Sequence, residues 1–256
     1  MLAAHMDEIG LMVKNFGEGF LRFTTVGGVD TRTILGQEVI VHGKRPLPGI
    51  VASRPPHVLP ASERKKALPV DKLFIDVGVS SERIQELIQV GDPITMRRDL
   101  LGLAKGFASG KALDDRAGVV TLVGCMEALN TMQHSWDVYA VATSQEEVGL
   151  RGATVSAYGT EPDIGLAVDV GFGLQQGVKE EEAISMNEGG AIGIGPNFHP
   201  LMVKRLIETA KKYEVKHQTE IVSGRSGTDA WAIQVVRQGI PTGLISIPLR
   251  YMHTSV

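Results

Sequence analysis

The chain has 256 residues, with 26 Lys and Arg against 29 Asp and Glu, giving a formal net charge of −3. That balance offers no basic surface for nucleic acid or an anionic membrane, while 43% apolar and 21% charged residues are the composition of a globular chain able to bury a sizeable core. No run approaches the roughly 18 consecutive apolar residues that a membrane-spanning helix needs, and Met1-Leu2-Ala3-Ala4-His5 lacks the features of a signal peptide, so a cytoplasmic location is expected. Cys125 is the only cysteine, which excludes an intrachain disulfide and a thiolate-rich metal cluster. Any bound metal must be held by His, Asp and Glu.

In chain order, Leu2-Ala3-Ala4 reads as a short strand. Phe20–Thr24, Glu38–Val41 and Leu73–Val77 are β-branched or aromatic segments bounded by glycines, which predicts strands of a small β-rich module. Pro46, Pro48, Pro55, Pro56, Pro60 and Pro69 crowd one stretch together with Glu63-Arg64-Lys65-Lys66, where no long helix can run. A helix is predicted over Ser81–Gln89, capped by Ser80 or Ser81, with Ile84, Leu87 and Ile88 on its apolar face. After about Gly106 helices and strands alternate. Val119, Leu122, Val123 and Met126 mark a helix; Val138–Ala142 and Ile164–Val168 are buried strands; helices follow around Leu206–Ala210 and Ala230–Val236, and a last strand at Gly243–Ile247. The expected fold is α/β, a mixed sheet with helices on both faces, in a discontinuous domain of residues 1–13 and 105–256 interrupted by a β-rich, barrel-like insertion over 14–104.

Ligand sites in open α/β sheets lie beyond the carboxyl ends of the strands, and these ends are polar here. They deliver His5-Met6-Asp7-Glu8, Leu113-Asp114-Asp115-Arg116, Ser144-Gln145-Glu146-Glu147, Asp169 and His253. Carboxylates gathered without a cation repel one another and raise each other's pKa, a conflict that a divalent metal removes. Two histidines and several carboxylates suit a dinuclear site for zinc, cobalt or manganese.

The motifs His5-Met6-Asp7-Glu8-Ile9-Gly10, Lys111 to Gly118, Glu146-Glu147-Val148-Gly149, Val168-Asp169 and Arg250 to Ser255 resemble, in order and over the whole chain, the dinuclear metallo-aminopeptidases of the glutamyl and deblocking type that form tetrahedral particles. The resemblance implies two divalent ions per chain, zinc or cobalt with manganese as a further option. His5 and Asp169 would complete one metal, Glu147 and His253 the other, with Asp114 as the bridge and Glu146 as general base. Asp7, two residues past His5, would act beside them by holding a ligand or the imidazole. The implied reaction is hydrolysis of the amino-terminal peptide bond of short peptides with a free amino terminus, by a water activated between two metals. The implied partner is a second copy, with dimerisation through the insertion and assembly into a dodecamer. The family carries a helix and strands before its first histidine motif and a further segment after its last, so the resemblance also implies a chain truncated at both ends.

Simpler readings exist for single residues. Glu146-Glu147 is compatible with a solvated helix start, and Asp169 with a cap on the turn before Gly171. His42, His57, His134, His199 and His217 stand apart from the motifs and read as structural or solvent-facing. Gly189-Gly190 and Gly193-Ile194-Gly195 lack the Lys-Ser/Thr ending of a phosphate loop, so they read as turn or close-packing residues. Gly224 to Asp229 reads as a pocket wall, with Thr228 or Asp229 capping the helix that follows. Two other functions use the same residues: glycoside hydrolysis of the endoglucanase kind, which needs two acids and aromatic sugar platforms, and a catalytically inactive assembly or binding protein. Aromatic residues at 5% of the chain disfavour the first, and retention of Glu146 with five ligand candidates disfavours the second.

Overall fold

The computed structural model of the chain describes residues 1–58, 60 and 68–256; Glu63-Arg64-Lys65-Lys66 lies outside them. In chain order the elements are β1 (Leu2–His5), β2 (Gly10–Gly17), β3 (Phe20–Val26), α1 (Thr31–Ile34), β4 (Glu38–His42), β5 (Pro46–Ser53), β6 (Leu73–Asp76), α2 (Ser81–Leu87), β7 (Pro93–Met96), β8 (Leu101–Gly102), β9 (Ala108–Ser109), α3 (Leu113–Leu129), β10 (Ala140–Thr143), α4 (Arg151–Thr160), β11 (Gly165–Phe172), β12 (Gly190–Ile194), α5 (Pro200–Lys212), β13 (His217–Ile221), α6 (Asp229–Ile233) and β14 (Thr242–Leu249). They form two compact units, one of Met1–Glu8 with Ala112–Met252, the other of Ile9–Lys111 with His253–Val256. Among the described residues no helix is long and apolar enough to cross a membrane.

The second unit contains a closed barrel with strand order β2-β3-β6-β5-β4-β7. Alternation along its strands, interrupted in β2 by a register shift between Val13 and Asn15, sends Leu11, Val13, Leu21, Phe23, Val39, Val41, Val51 and Ile75 into one core, and closure leaves no sheet edge to protect. Strand β2 runs across the junction expected between residues 13 and 14, because Leu11 and Val13 both belong to this core. Strand β5 carries Pro46 and Pro48, in the stretch where the sequence excludes a long helix. Both prolines point outward and pair only with β4, since β6 joins β5 from Ile50 onward, so the missing N–H groups are tolerated. Helix α2 starts as predicted, with Ser80 accepting from the Arg83 N–H and Ile84 and Leu87 buried. Ile75 is fully buried; Ile75→Ala is expected to destabilise the barrel by about 2–5 kcal/mol, read as a lower urea midpoint.

The first unit is a six-stranded mixed sheet of order β10-β1-β11-β14-β12-β13, parallel except where β12 runs against β14. Successive residues face opposite sides. Ala4 and Val168 meet Leu122 and Val119 of α3, whereas Ala3 packs with Ala153 and Ala157 of α4 and Ile233 of α6. Ala167 and Leu244 join Ala230 of α6 and Val203 of α5. Helices therefore cover both faces. Val123, assigned to the apolar face of α3, is 54% exposed; the buried stripe runs through Gly118 and Leu122 instead. The glycine-rich segment Gly190–Ile194, read as turn or packing residues, is strand β12. Gly193 does pack closely, since a Cβ there would press on the Phe198 ring.

Candidate metal centre

One rung of this sheet carries the polar residues. Thr143 of β10 pairs with His5 of β1, Ala3 of β1 pairs with Ala167 of β11 two residues before His5 and Asp169, and Asp169 pairs with Ser246 of β14. All four are at most 5% exposed. Thr143 and His5 are the last residues of β10 and β1, whereas Asp169 and Ser246 lie within β11 and β14; β11 runs on past the end expected at Val168 as far as Phe172.

His5 is the hub. Its Nδ1 lies 3.2 Å from the Asp7 carbonyl, which turns Nε2 toward the acids. From Nε2 the distances are 3.0 Å to Asp114 Oδ1, 3.8 Å to Asp169 Oδ1 and 3.8 Å to Glu146 Oε2. Burial opposes a charge on His5, but the hydrogen bond to Asp114 and the charges of Asp169, Glu146 and Asp114 outweigh it and raise the imidazole to about 10. Burial likewise raises the carboxyls: Asp169 well above its ordinary range with the Asp115 charge adding to it, and Glu146 to about 8, with His5 opposing and Glu147, Asp229 and Asp114 contributing. Asp115, lifted mainly by burial, reaches about 7. His5 and these acids thus act on one another, the carboxylates favouring a charged imidazole and the imidazole favouring charged carboxylates.

Asp114 and Asp115 lie in the irregular first turn of α3 and are joined by a cis peptide. Their surroundings separate them. Asp115 is fully buried and accepts from two backbone N–H groups, His5 at 3.3 Å and Gly118 at 3.1 Å. A side chain at position 118 would collide with that carboxylate, so only glycine serves there. Arg116 bonds the Met6 carbonyl at 3.2 Å and approaches Glu8 at 3.7 Å, securing the loop after β1.

Glu146 and Glu147 lie on the turn after β10. Asp7 holds that turn: Oδ1 accepts from the Glu146 N–H at 3.1 Å and Oδ2 from the Glu147 N–H at 3.3 Å. Gly152, at the start of α4, sits so close to the Ser144 backbone that a Cβ would overlap it. Asp169 Oδ1 accepts from the Val170 N–H at 2.7 Å. Asp229, read as a helix cap, is not one. Thr228 occupies the cap position, and the Asp229 carboxylate instead accepts from the Thr143 hydroxyl at 2.5 Å. His253 belongs to the barrel unit, with Nδ1 3.2 Å from the Gly28 carbonyl. Four other histidines serve elsewhere: His42 meets Thr95, His134 the Trp136 carbonyl and His217 the Val215 carbonyl, while His199 caps α5; His57 is exposed.

The donor set fits a divalent ion. Ligand atoms of His5, Asp115 and Asp169 lie within 4.8 Å of one another, as do those of His5, Glu146 and Glu147. Imidazole with carboxylates and no thiolate is the chemistry of zinc, cobalt or manganese sites.

The family model described as M42 glutamyl aminopeptidase matches residues 1–256. The lysyl aminopeptidase of Pyrococcus furiosus is 35% identical, with the match covering 100% of this chain and 75% of that protein. The TET aminopeptidase from the marine sediment archaeon Thaumarchaeota archaeon SCGC AB-539-E09 superposes with a TM-score of 0.93 at 37% identity, over 99% of this chain and 74% of that one. The Pyrococcus horikoshii TET1 peptidase, which can assemble into a tetrahedron or a large octahedral shell, superposes with a TM-score of 0.87 at 31% identity, over 100% and 76%. The mixed sheet, the barrel and the whole-length match lead to one conclusion: the chain belongs to the M42 glutamyl aminopeptidase family.

Proposed function

We propose that the protein is a cytoplasmic, metal-dependent aminopeptidase that removes single residues from the free amino termini of short peptides. The observation that carries this reading is the convergence of His5, Asp114, Glu146 and Asp169 at one end of the sheet, in a chain that matches an aminopeptidase family over all of its length.

His5 and Asp169 would hold one divalent ion, Glu147 and His253 would serve a second, and Asp114 would be the carboxylate common to both. The two backbone donors on Asp115 support that choice, since they leave Asp114 as the carboxylate of the pair facing the His5 ring. Two such ions supply Lewis acidity toward a peptide carbonyl and lower the pKa of water. Glu146 takes the proton from the attacking water and returns it to the leaving amine, which suits a buried carboxyl with an affinity for protons near neutral pH. Asp7 keeps Glu146 and Glu147 apart in their separate tasks by fixing both backbone N–H groups. The barrel unit is assigned to dimerisation, and assembly into a dodecamer is assigned by analogy with the shell-forming Pyrococcus horikoshii relative.

The substrate test compares one short peptide with and without amino-terminal acetylation, in the presence of zinc or cobalt. The free peptide is expected to be shortened one residue at a time and the acetylated form to resist. Equal cleavage of both, or release of reducing sugar from cellulose at a comparable rate, would overturn the assignment.

A further inference from the structure

Among the described residues, one buried side-chain oxygen has no hydrogen-bond partner: Oδ1 of Asp229. Asp229 is 2% exposed and so is Thr143, whose hydroxyl donates to the other carboxylate oxygen at 2.5 Å. A buried carboxylate with one oxygen unmet opposes folding, and an apolar side chain of similar volume would fill the space without that penalty. The pair therefore adds little to packing. What it does do is join two elements. Behind Asp229, Ala230, Ala232 and Ile233 lock α6 into the core. On the other side, Thr143 ends β10 in register with His5 and directly precedes the Ser144–Glu147 turn. That turn is gripped at Glu146 and Glu147 by Asp7, and its origin by Asp229 through Thr143.

We propose that Asp229 is a positioning residue for the metal centre, tying the end of β10, and so the base of the Glu146-Glu147 turn, to the fixed helix α6 through the Thr143 hydroxyl. The inference rests on the aminopeptidase reading for its kinetic readout and on zinc binding for an independent one.

The test uses Thr143→Ser and the double variant Thr143→Val with Asp229→Leu in the purified protein. The double variant removes both polar partners at once, an exchange that is close to neutral for folding, so its Tm should stay within a few degrees of the parent. Its kcat is expected to fall about tenfold or more with KM changed less than about twofold. Its zinc affinity, measured by competition with a chromophoric chelator, should fall about tenfold. Thr143→Ser, which keeps the hydroxyl, should retain both near the parental values. A double variant with parental kcat and parental zinc affinity overturns the proposal, as does a Thr143→Ser protein impaired as severely as the double variant. If the double variant does not fold, Thr143→Ala is measured in the same way, with loss supporting and parental values overturning the assignment. If the parent binds zinc but cleaves no peptide, the aminopeptidase reading fails and the zinc measurements alone decide the positioning role.

Discussion

Exchanging Glu146 for glutamine is expected to lower kcat by about 10²-fold or more while bound metal stays near the parental amount. Glutamine keeps the shape and hydrogen-bonding reach of the side chain but cannot accept the proton from water at neutral pH. Glu147→Gln should behave differently, because a weakened ligand lowers affinity for one ion and excess metal then partly restores turnover. The two residues are neighbours of identical chemistry, and their backbone N–H groups are both held by Asp7, so a difference between the variants reports side-chain role rather than local unfolding. Bound metal and kcat measured in both across a metal titration separate the assignments. Loss of metal from Glu146→Gln, with retention in Glu147→Gln, would reverse them.

Metal affinity should climb steeply with pH. In the metal-free protein His5 titrates at about 10, Glu146 at about 8 and Asp115 at about 7, so at neutral pH an incoming ion must displace at least the His5 proton. Apparent affinity should then rise about tenfold per pH unit between pH 6 and 8 from that proton alone. The stability effect has the same origin. His5 contributes stability that is complete below about pH 6.5 and lost as pH rises toward 10, and the raised carboxyls favour the folded state only while protonated. The metal-free protein should therefore lose stability at this site from about pH 5 upward, whereas the gain in Tm on adding zinc should grow over the same range. A zinc-induced Tm shift that is flat or shrinks between pH 6 and 8 would contradict the geometry around His5.

Much of the centre was legible because its polar residues directly follow apolar runs, as in Ala4-His5 and Val168-Asp169; His5 does end its strand, whereas Asp169 lies inside β11, which continues to Phe172. The role of Asp229 was hidden, since its partner Thr143 lies far away in sequence and an acid before a short helix is ordinarily a cap. Strand β5 was masked by prolines whose outward, singly paired positions only the barrel reveals. Helix α4 also escaped notice, because its buried stripe consists of two alanines, Ala153 and Ala157, which give no strong apolar periodicity. The β-rich unit was clearer in character than in extent, its first strand blending into the segment that follows His5.

The single rung shared by Thr143, His5 and Asp169 has a kinetic consequence. Strand β1 is only four residues long and is paired on both sides by strands that come much later in the chain, Leu2 with Ala140 and Leu166. Such pairings close large loops before they return any contact energy, and a slip of one residue would turn His5 to the opposite face. The candidate ligands therefore converge only once β1 has been inserted between β10 and β11 in its final register. Metal captured at this site would act as a lock on completed molecules, slowing their unfolding, rather than as a seed around which the chain collapses.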